Sequence, residues 1–379
     1  MSAPAPALQW LRTGQEVFPA MLTAIHAARE SIRLETYICT DGKIGRQFRD
    51  ALVRAAQRGV RVSVLVDALG CWLLSDTFFE PLIAAGGKVH RFNPLHLWRF
   101  GVRDHRKLLV CDERTAFIGG FNLADEYAGD GVNSGWCDLG VRIETGAVVG
   151  ELASSFDELF ALADFRRKPL LRLRAFKRRR KSRVLPAEIP FWSRPGPAAS
   201  PLHSGLHQDF VRAQEVRIMT AYFLPTRKLR HDLLRLMRRG GRVRLILAGK
   251  SDVLLAQLAG RSLYHRLLTA GVEIYEYQPQ ILHAKLVIVD HTAYVGSANF
   301  DVRSLKLNYE LMLRFEEKAF TATAREIFDD TLKHCRKIEL PAWRASQSFW
   351  PRWQQYWAHF LLARVDVFCA LRQFQALAK

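Results

Sequence analysis

Apolar residues along this chain recur at two spacings, helical and alternating, and the same succession of the two occurs twice. Residues 16–29 place apolar side chains at helical spacing, and SIRLETYIC (31–39) follows as an apolar, strand-like run. A basic amphipathic helix, GRQFRDALVRAAQRG (45–59), leads to a buried strand, VRVSVLVDA (60–68). Another helix runs to a glycine stop at Gly86-Gly87, and KVHRFN (88–93) is the next strand. The second half repeats the order with EVRIMTAYFL (215–224), RKLRHDLLRLMRRGG (227–241), VRLILAG (243–249), a helix ending at Gly271, and VEIYEY (272–277). Helices alternating with apolar strands predict an α/β layered fold. The internal repeat predicts two such units.

Each half continues into one shared motif. Residues 105–122 read HRKLLVCDERTAFIGGFN and residues 283–299 read HAKLVIVDHTAYVGSAN. His105 and His283 are the candidate catalytic pair, because phosphodiester exchange can use one imidazole on phosphorus and another on the leaving group. The β-favouring runs after them predict strands that place His105 with Lys107, and His283 with Lys285, on one face. Asp112 and Asp290, five residues past the lysines, then face the other way and read as supporting members of the motif. The turns GGFN and GSAN, with Gly120 and Ser297, let backbone approach a phosphate, and Asn122 and Asn299 add amide donors. No metal or cofactor is expected, since no carboxylate cluster of two-metal type lies near the motifs. A histidine of this kind needs an acceptor on its other nitrogen. Asp138 is expected to orient His105, and Glu310 to orient His283, each from the next strand of its own half.

Charge and composition narrow the partner. The chain has 379 residues, 49% hydrophobic, and a formal net charge of +19, which predicts a polyanionic partner: nucleic acid or an anionic membrane. Nine tryptophans favour the membrane. Six scattered cysteines without CxxC or zinc spacing fit a reducing compartment. The opening MSAPAPALQWLRTG has no basic-then-apolar leader, and no apolar run approaches the ~20 residues that span a bilayer. Residues 166–183 carry eleven Lys or Arg in eighteen positions, interspersed with Leu170, Leu171, Leu173 and Phe176, and read as an anionic-lipid contact. From about 343 the chain turns aromatic: Trp353, Trp357, Phe360, Leu361, Phe368, Leu371 and Phe374 recur at helical spacing. That pattern suits a helix packed on the core or one lying in a membrane interface. The expected organisation is therefore two α/β units at 1–165 and 206–337, a basic linker at 166–205, and an aromatic segment at 338–379.

Two His-x-Lys-x4-Asp motifs are the hallmark of the phospholipase D superfamily, which the chain resembles over about residues 15–335. NFDVRSLKLNYELML (299–313) and LETYICTDGKIGRQF (34–48) resemble bacterial cardiolipin synthases, in particular the shorter B type. The resemblance implies two α/β/α sandwiches related by a pseudo-twofold with the site between them. It also implies a ping-pong reaction through a phosphohistidine, with His105 as nucleophile and His283 as acid then base. Ser304 matches a serine expected to contact phosphate or support Asn299. The implied reaction joins two phosphatidylglycerols into cardiolipin and glycerol at the cytoplasmic face of a bacterial inner membrane, by peripheral attachment. Hydrolysis or broader transphosphatidylation, a superfamily nuclease, and a lipid-binding adaptor with a decayed site are the alternatives. The tryptophans disfavour nucleic acid, and the intact His-Lys pairs disfavour the adaptor. Two departures stand out: five residues separate Asp290 from Gly296 where the first motif has six, which predicts a tighter turn, and Gly120 stands where serine is common.

Overall fold

A computed structural model of the chain describes residues 7–93, 102–144, 146–163, 190–193 (backbone) and 201–365. The basic run at 166–183 and the last aromatic positions, Phe368, Leu371 and Phe374, lie outside the described residues.

Two mixed sheets carry the fold. The first runs β1-β7-β6-β5-β2-β3-β4. Its strands are β1 Ala7–Leu11, β2 Ser31–Thr36, β3 Arg61–Asp67, β4 Lys88–Phe92, β5 Leu108–Cys111, β6 Thr115–Gly119 and β7 Gly140–Glu144. The second half supplies β8 Pro190–Ser193, β9 Glu215–Thr220, a short β10 Phe223–Leu224, β11 Arg242–Ala248, β12 Glu273–Tyr277, β13 Leu286–Val289 and β14 Thr292–Gly296. It ends with a short β15 Phe300–Asp301, β16 Glu310–Phe315 and β17 Cys335–Ile338. Its sheet order, β17-β12-β11-β9-β13-β14-β16-β8, repeats the first sheet element for element and adds β17 at one edge. In both, the first three repeat strands are parallel and the motif hairpin is antiparallel to them. The α/β class and the repeat are as the sequence predicts.

Both faces of each sheet are covered, which is why the strands read as continuous apolar runs. Helices Gly14–Ala27 and Lys43–Gln57 bury Phe18, Ile25, Phe48 and Leu52 on the outer face of the first sheet. Helices Pro201–Arg212 and Arg227–Arg238 do the same for the second with Phe210, Leu229 and Leu233. The inner faces share one core. Val110 and Ile118 of the first sheet and Leu286 and Val295 of the second belong to it, with Phe156 of helix Ala147–Ala163 and Phe328 of helix Lys318–Leu332. Gly86 and Gly271 hold φ of 92° and 85°, so they stop their helices by the left-handed turn that glycine takes without strain.

Three expectations change. The motif strands begin after the lysines, at Leu108 and Leu286, so His105 and His283 sit on the extended segments feeding them. Residues 190–193, expected as linker, form an edge strand on β16, with Pro190 at the strand start where a missing N–H costs little. A helix begins at Pro201, also within the expected linker. The tighter second turn is present: Val289 pairs with Thr292 across two residues, whereas Cys111 pairs with Thr115 across three.

Candidate active site

The two motifs meet because each histidine segment docks on the other half. Asp104 forms a parallel bridge with Tyr309, and Cys137 forms one with Leu282. The His105 N–H donates to the Tyr309 carbonyl at 2.9 Å, and the His283 N–H donates to the Cys137 carbonyl at 2.7 Å. Tyr309 precedes Glu310 and Cys137 precedes Asp138, so each carboxylate faces the histidine of the opposite half. Glu310 Oε2 lies 3.1 Å from His105 Nδ1. Asp138 Oδ2 lies 2.6 Å from His283 Nδ1. This corrects the pairing read from the sequence, which joined Asp138 to His105 and Glu310 to His283. The carboxylates are supplied across the pseudo-twofold, and only docking of the halves brings the partners together.

The turn after each hairpin lies against a carboxylate. Ser297 Oγ donates to Glu310 Oε2 at 2.6 Å and accepts the Leu311 N–H at 2.9 Å. Ser304 also hydrogen-bonds the Glu310 carboxylate, so this serine supports His105 through Glu310. The first half has no room for a side chain at the matching place. A Cβ on Gly120 would stand 2.0 Å from Asp138 Oδ1, which explains glycine where the second half has serine. Lys107 Nζ donates to the His105 carbonyl at 2.7 Å, and Lys285 Nζ donates to the His283 carbonyl. Lys285 Nζ also lies 2.7 Å from His283 Nδ1, but that nitrogen gives its proton to Asp138 and cannot accept as well. Asn122 is held on both sides, its Oδ1 accepting from Ile38 N–H at 3.1 Å and its Nδ2 donating to Tyr127 Oη at 2.7 Å. Asn299 Oδ1 is buried with no hydrogen-bond partner among the described residues.

Asp112 and Asp290 stand apart from this group, at the far ends of β5 and β13. Asp112 accepts the N–H groups of Arg29, Glu30 and Ser31 at 2.8–2.9 Å. Asp290 accepts those of Gln214 and Glu215. Both take positive φ in their hairpin turns. They tie the motif hairpin to the start of β2 or β9 and touch no reacting group, so grouping them with the catalytic residues is corrected to the supporting role.

Burial and like charge set the protonation of the site. Burial, then Lys107 and Lys285, hold His105 well below the usual imidazole range. Burial and Lys285 bring His283 down to about 4 against the pull of Asp138. Burial and the facing Lys285 lower Lys107 to about 7, and burial lowers Lys285 to about 8. Burial lifts Glu310 to about 7. For Asp138 burial is outweighed by His283 and Lys285, and its carboxylate stays below the ordinary value. The two lysines and two imidazoles thus bring together more positive charge than burial lets them keep ionised, an electrostatic setting that favours an anion.

Several neighbours carry no repeat signal, and the sequence analysis missed them. Tyr37 packs edge-on against His105 at 4.9 Å between ring centroids. Tyr127 and Trp136 flank His283 at 5.2 and 5.6 Å. A buried charged group lies behind Lys107: Arg106 pairs with Glu35 at 3.0 Å, and Asp104 accepts the Arg106 N–H at 3.2 Å. Strand register makes Glu35 the counterpart of Met219, since they oppose Leu108 and Leu286. Asp104 and Arg106 correspond to Leu282 and Ala284, on either side of the second histidine. The group therefore exists in the first half alone, which is why a search for repeats passes over it.

Comparison with known proteins gives the family. The family model described as cardiolipin synthase, PLD-like domain, matches residues 21–160 and 209–332. The chain belongs to this family. Cardiolipin synthase B of Salmonella typhimurium is 32% identical, covering 98% of this chain and 89% of the relative. Cardiolipin synthase B of Escherichia coli K12 is 33% identical, covering 88% and 82%. Among solved structures, phosphatidylserine synthase of Haemophilus influenzae superposes with a TM-score of 0.75 over 96% of this chain and 95% of that one. At 17% identity that likeness establishes the fold, and the family model gives its two matched segments as PLD-like. As a member of the cardiolipin synthase PLD-like family, the protein is a phospholipid phosphatidyltransferase.

Proposed function

We propose that the protein joins two phosphatidylglycerols into cardiolipin and releases glycerol. The observation that carries this reading is the pair of crossed histidine–carboxylate contacts with two buried lysines beside them. The phosphodiester of the first lipid sits between Lys107 and Lys285 and neutralises them. Its charge offsets the repulsion that depresses both imidazoles, so His283 takes up a proton on binding. His105 keeps its Nδ1 on Glu310 and attacks phosphorus through Nε2. The P–O bond to glycerol breaks, and His283 donates the proton to the departing glycerol oxygen. The hydroxyl of a second phosphatidylglycerol then gives its proton to His283 and attacks phosphorus, and the P–N bond breaks. The difference between the two dyads supports this division. The ionised Asp138 at 2.6 Å suits a histidine that cycles through imidazolium, whereas Glu310, near 7, is the weaker acceptor beside a neutral nucleophile. Asn122 and Asn299 flank the phosphate site, with Gly120 and Ser297 shaping the turns that carry them.

The same reading places the protein peripherally at an anionic membrane, on the cytoplasmic face in a bacterial cell. Among the described residues no helix is long and apolar enough to cross a bilayer. Helix Phe349–Phe360 turns Ala358 and Gln355 inward and leaves Trp350, Trp353, Tyr356 and Trp357 exposed, which favours the interfacial reading of the aromatic segment. Purified protein on phosphatidylglycerol vesicles, with lipid products identified by mass, tests the proposal. Wild type should yield cardiolipin and glycerol, His105→Ala nothing, and His283→Ala a slowly forming phosphatidyl adduct on His105. Phosphatidic acid as the main product would make the protein a hydrolase. Equal product from both variants and wild type would end the two-histidine reading.

A further inference from the structure

We propose that the chain carries a second, symmetric membrane-docking surface, made of two apolar loop tips on the rim of the active site, whose occupant is a bilayer rich in anionic phospholipid. It rests on the phospholipid reading of the site and is carried by residues other than those of the basic run and the aromatic helix.

The tips follow the same strand in each half. β3 ends at Asp67 and β11 at Ala248, positions matched by register, because Thr36 pairs with Val66 and Thr220 with Leu247. Five and six residues on, the first half presents Trp72 and Leu73, which are 65% and 80% exposed. The second presents Val253 and Leu254 at the same offsets, 41% and 65% exposed. These are large apolar side chains held in water twice, at equivalent points of a duplicated fold. The tips read Trp72-Leu73-Leu74 and Val253-Leu254-Leu255 at the same offsets, although the four residues before them differ throughout. Single exposed apolar residues need no explanation, but a pair placed by symmetry does.

Both tips sit at the site. Cys71, beside Trp72, donates its thiol to the Tyr37 carbonyl at 3.4 Å, and the Tyr37 ring packs on His105. Asp252, beside Val253, accepts from Tyr222 Oη at 2.7 Å, and its charge acts on Lys285 and on Tyr127, which packs on His283. The second tip runs on into helix Leu254–Arg261, against which Ala358 of the aromatic helix is buried. On that helix Trp350, Trp353, Trp357 and Phe360 form a ladder of edge-on rings 5.6–6.1 Å apart.

The charge beside the tips says what covers them. The helices that start on this rim, Lys43–Gln57 and Arg227–Arg238, have no acid in their first turn and begin with exposed Lys43, Arg227 and Lys228. The helix at Lys43 is capped from within by Asp125, which accepts the Lys43 and Ile44 N–H groups at 2.9 and 2.7 Å, so what these cations offer an outside anion is their exposed side chains. Exposed cations on the same rim as apolar tips match a layer of anionic headgroups over acyl chains. Docked this way, the bilayer faces the crevice that holds both histidines.

The test is co-sedimentation of the full chain with vesicles of phosphatidylglycerol and phosphatidylethanolamine. Leu73→Glu with Leu254→Glu should weaken binding by at least roughly tenfold. Ile83→Glu alters an exposed apolar residue on the helix Glu80–Ala84, at the opposite end of the sheet, and should leave binding unchanged. Turnover of a short-chain, monomeric phosphatidylglycerol should stay within about twofold in all variants, which shows that the substituted protein is folded and its site intact. Undiminished vesicle binding by the double variant, or equal loss with Ile83→Glu, overturns the proposal. So does concentration-dependent self-association in the absence of lipid that the double variant abolishes, since the tips would then cover a second copy of the chain. Binding that depends on the tips, from a protein that turns over neither form of phosphatidylglycerol, would keep the docking surface and reject the proposed reaction.

Discussion

Gly120→Ala is expected to disable His283 without touching it. A Cβ at residue 120 would stand 2.0 Å from Asp138 Oδ1 and 2.6 Å from its Cγ, where ordinary contact begins at 3.4 Å. The carboxylate must move by about 1.4 Å to clear it. Motion toward His283 is closed, because the bond to Nδ1 is already at the short limit of 2.6 Å. Motion away breaks that bond. A charge-assisted hydrogen bond to a buried group contributes about 1.5–3 kcal/mol. If it orients His283 in the transition state, kcat/KM should fall by about 10- to 150-fold. The assay is phosphatidylglycerol turnover by Gly120→Ala, Asp138→Ala and the double variant. Asp138→Ala removes the obstacle along with the hydrogen bond, so adding Gly120→Ala to it should cost almost nothing further. Gly120→Ala at wild-type activity, or losses that multiply in the double variant, would refute the argument.

The remaining predictions concern charge. In the free enzyme Lys107 and Lys285 lose their protons near 7 and 8, so kcat/KM should decline as pH rises through that range, and kcat, which reports the phosphate-bound site, should decline at higher pH; a pH-rate series measures both, and coincident limbs would argue against phosphate between the lysines. Arg106→Ala leaves Glu35 and Asp104 buried together and should cost about 3–5 kcal/mol in urea unfolding, whereas Glu35→Met with Asp104→Leu and Arg106→Ala, the residues of the second half, should be near neutral or stabilising. Burial raises both acids, so they ionise at a cost above their unfolded values, and the deficit of Arg106→Ala should shrink as pH falls and they take up protons. Asp112→Ala removes three hydrogen bonds from a half-exposed turn and should cost about 1–2 kcal/mol with activity per folded molecule unchanged. Asp112 is held below its unfolded value by those amides against its partial burial, so its contribution is present above pH ~4 and lost as pH falls through its lowered pKa.

Much of this molecule was legible from residue order. The strands β2 and β3 and their counterparts β9 and β11 are apolar runs bounded by glycine or charge, and the helices that flank them in sequence cover their outer faces. His-x-Lys, Asp, Gly and Asn recur at matched spacing because the same hairpin is built twice, and the one-residue difference in spacing appears as a two- against a three-residue loop. These are local properties: they depend on neighbours within a few residues, and a sequence lists such neighbours.

What the sequence could not decide was which half completes which site. Asp138 follows His105 in the chain, and Glu310 follows His283, so proximity along the chain joins each to its own histidine. The bridges Asp104–Tyr309 and Cys137–Leu282 instead lay each histidine segment against the other half's carboxylate. Backbone hydrogen bonds between segments that far apart in the chain depend on how two sheets dock, and no residue spacing encodes that. The same holds for Gly120, a plain glycine in sequence whose need appears only when the Asp138 carboxylate occupies the place of its missing Cβ. Composition counted the tryptophans and the cations, but that Trp72, Lys43, Arg227 and Lys228 stand where the strands end follows from which strand ends the fold gathers at one edge. The sequence determined the two half-sites and their chemistry, through short-range pattern. The tertiary structure alone decided that they work crosswise, because the partners of a buried charge are set by packing across the interface.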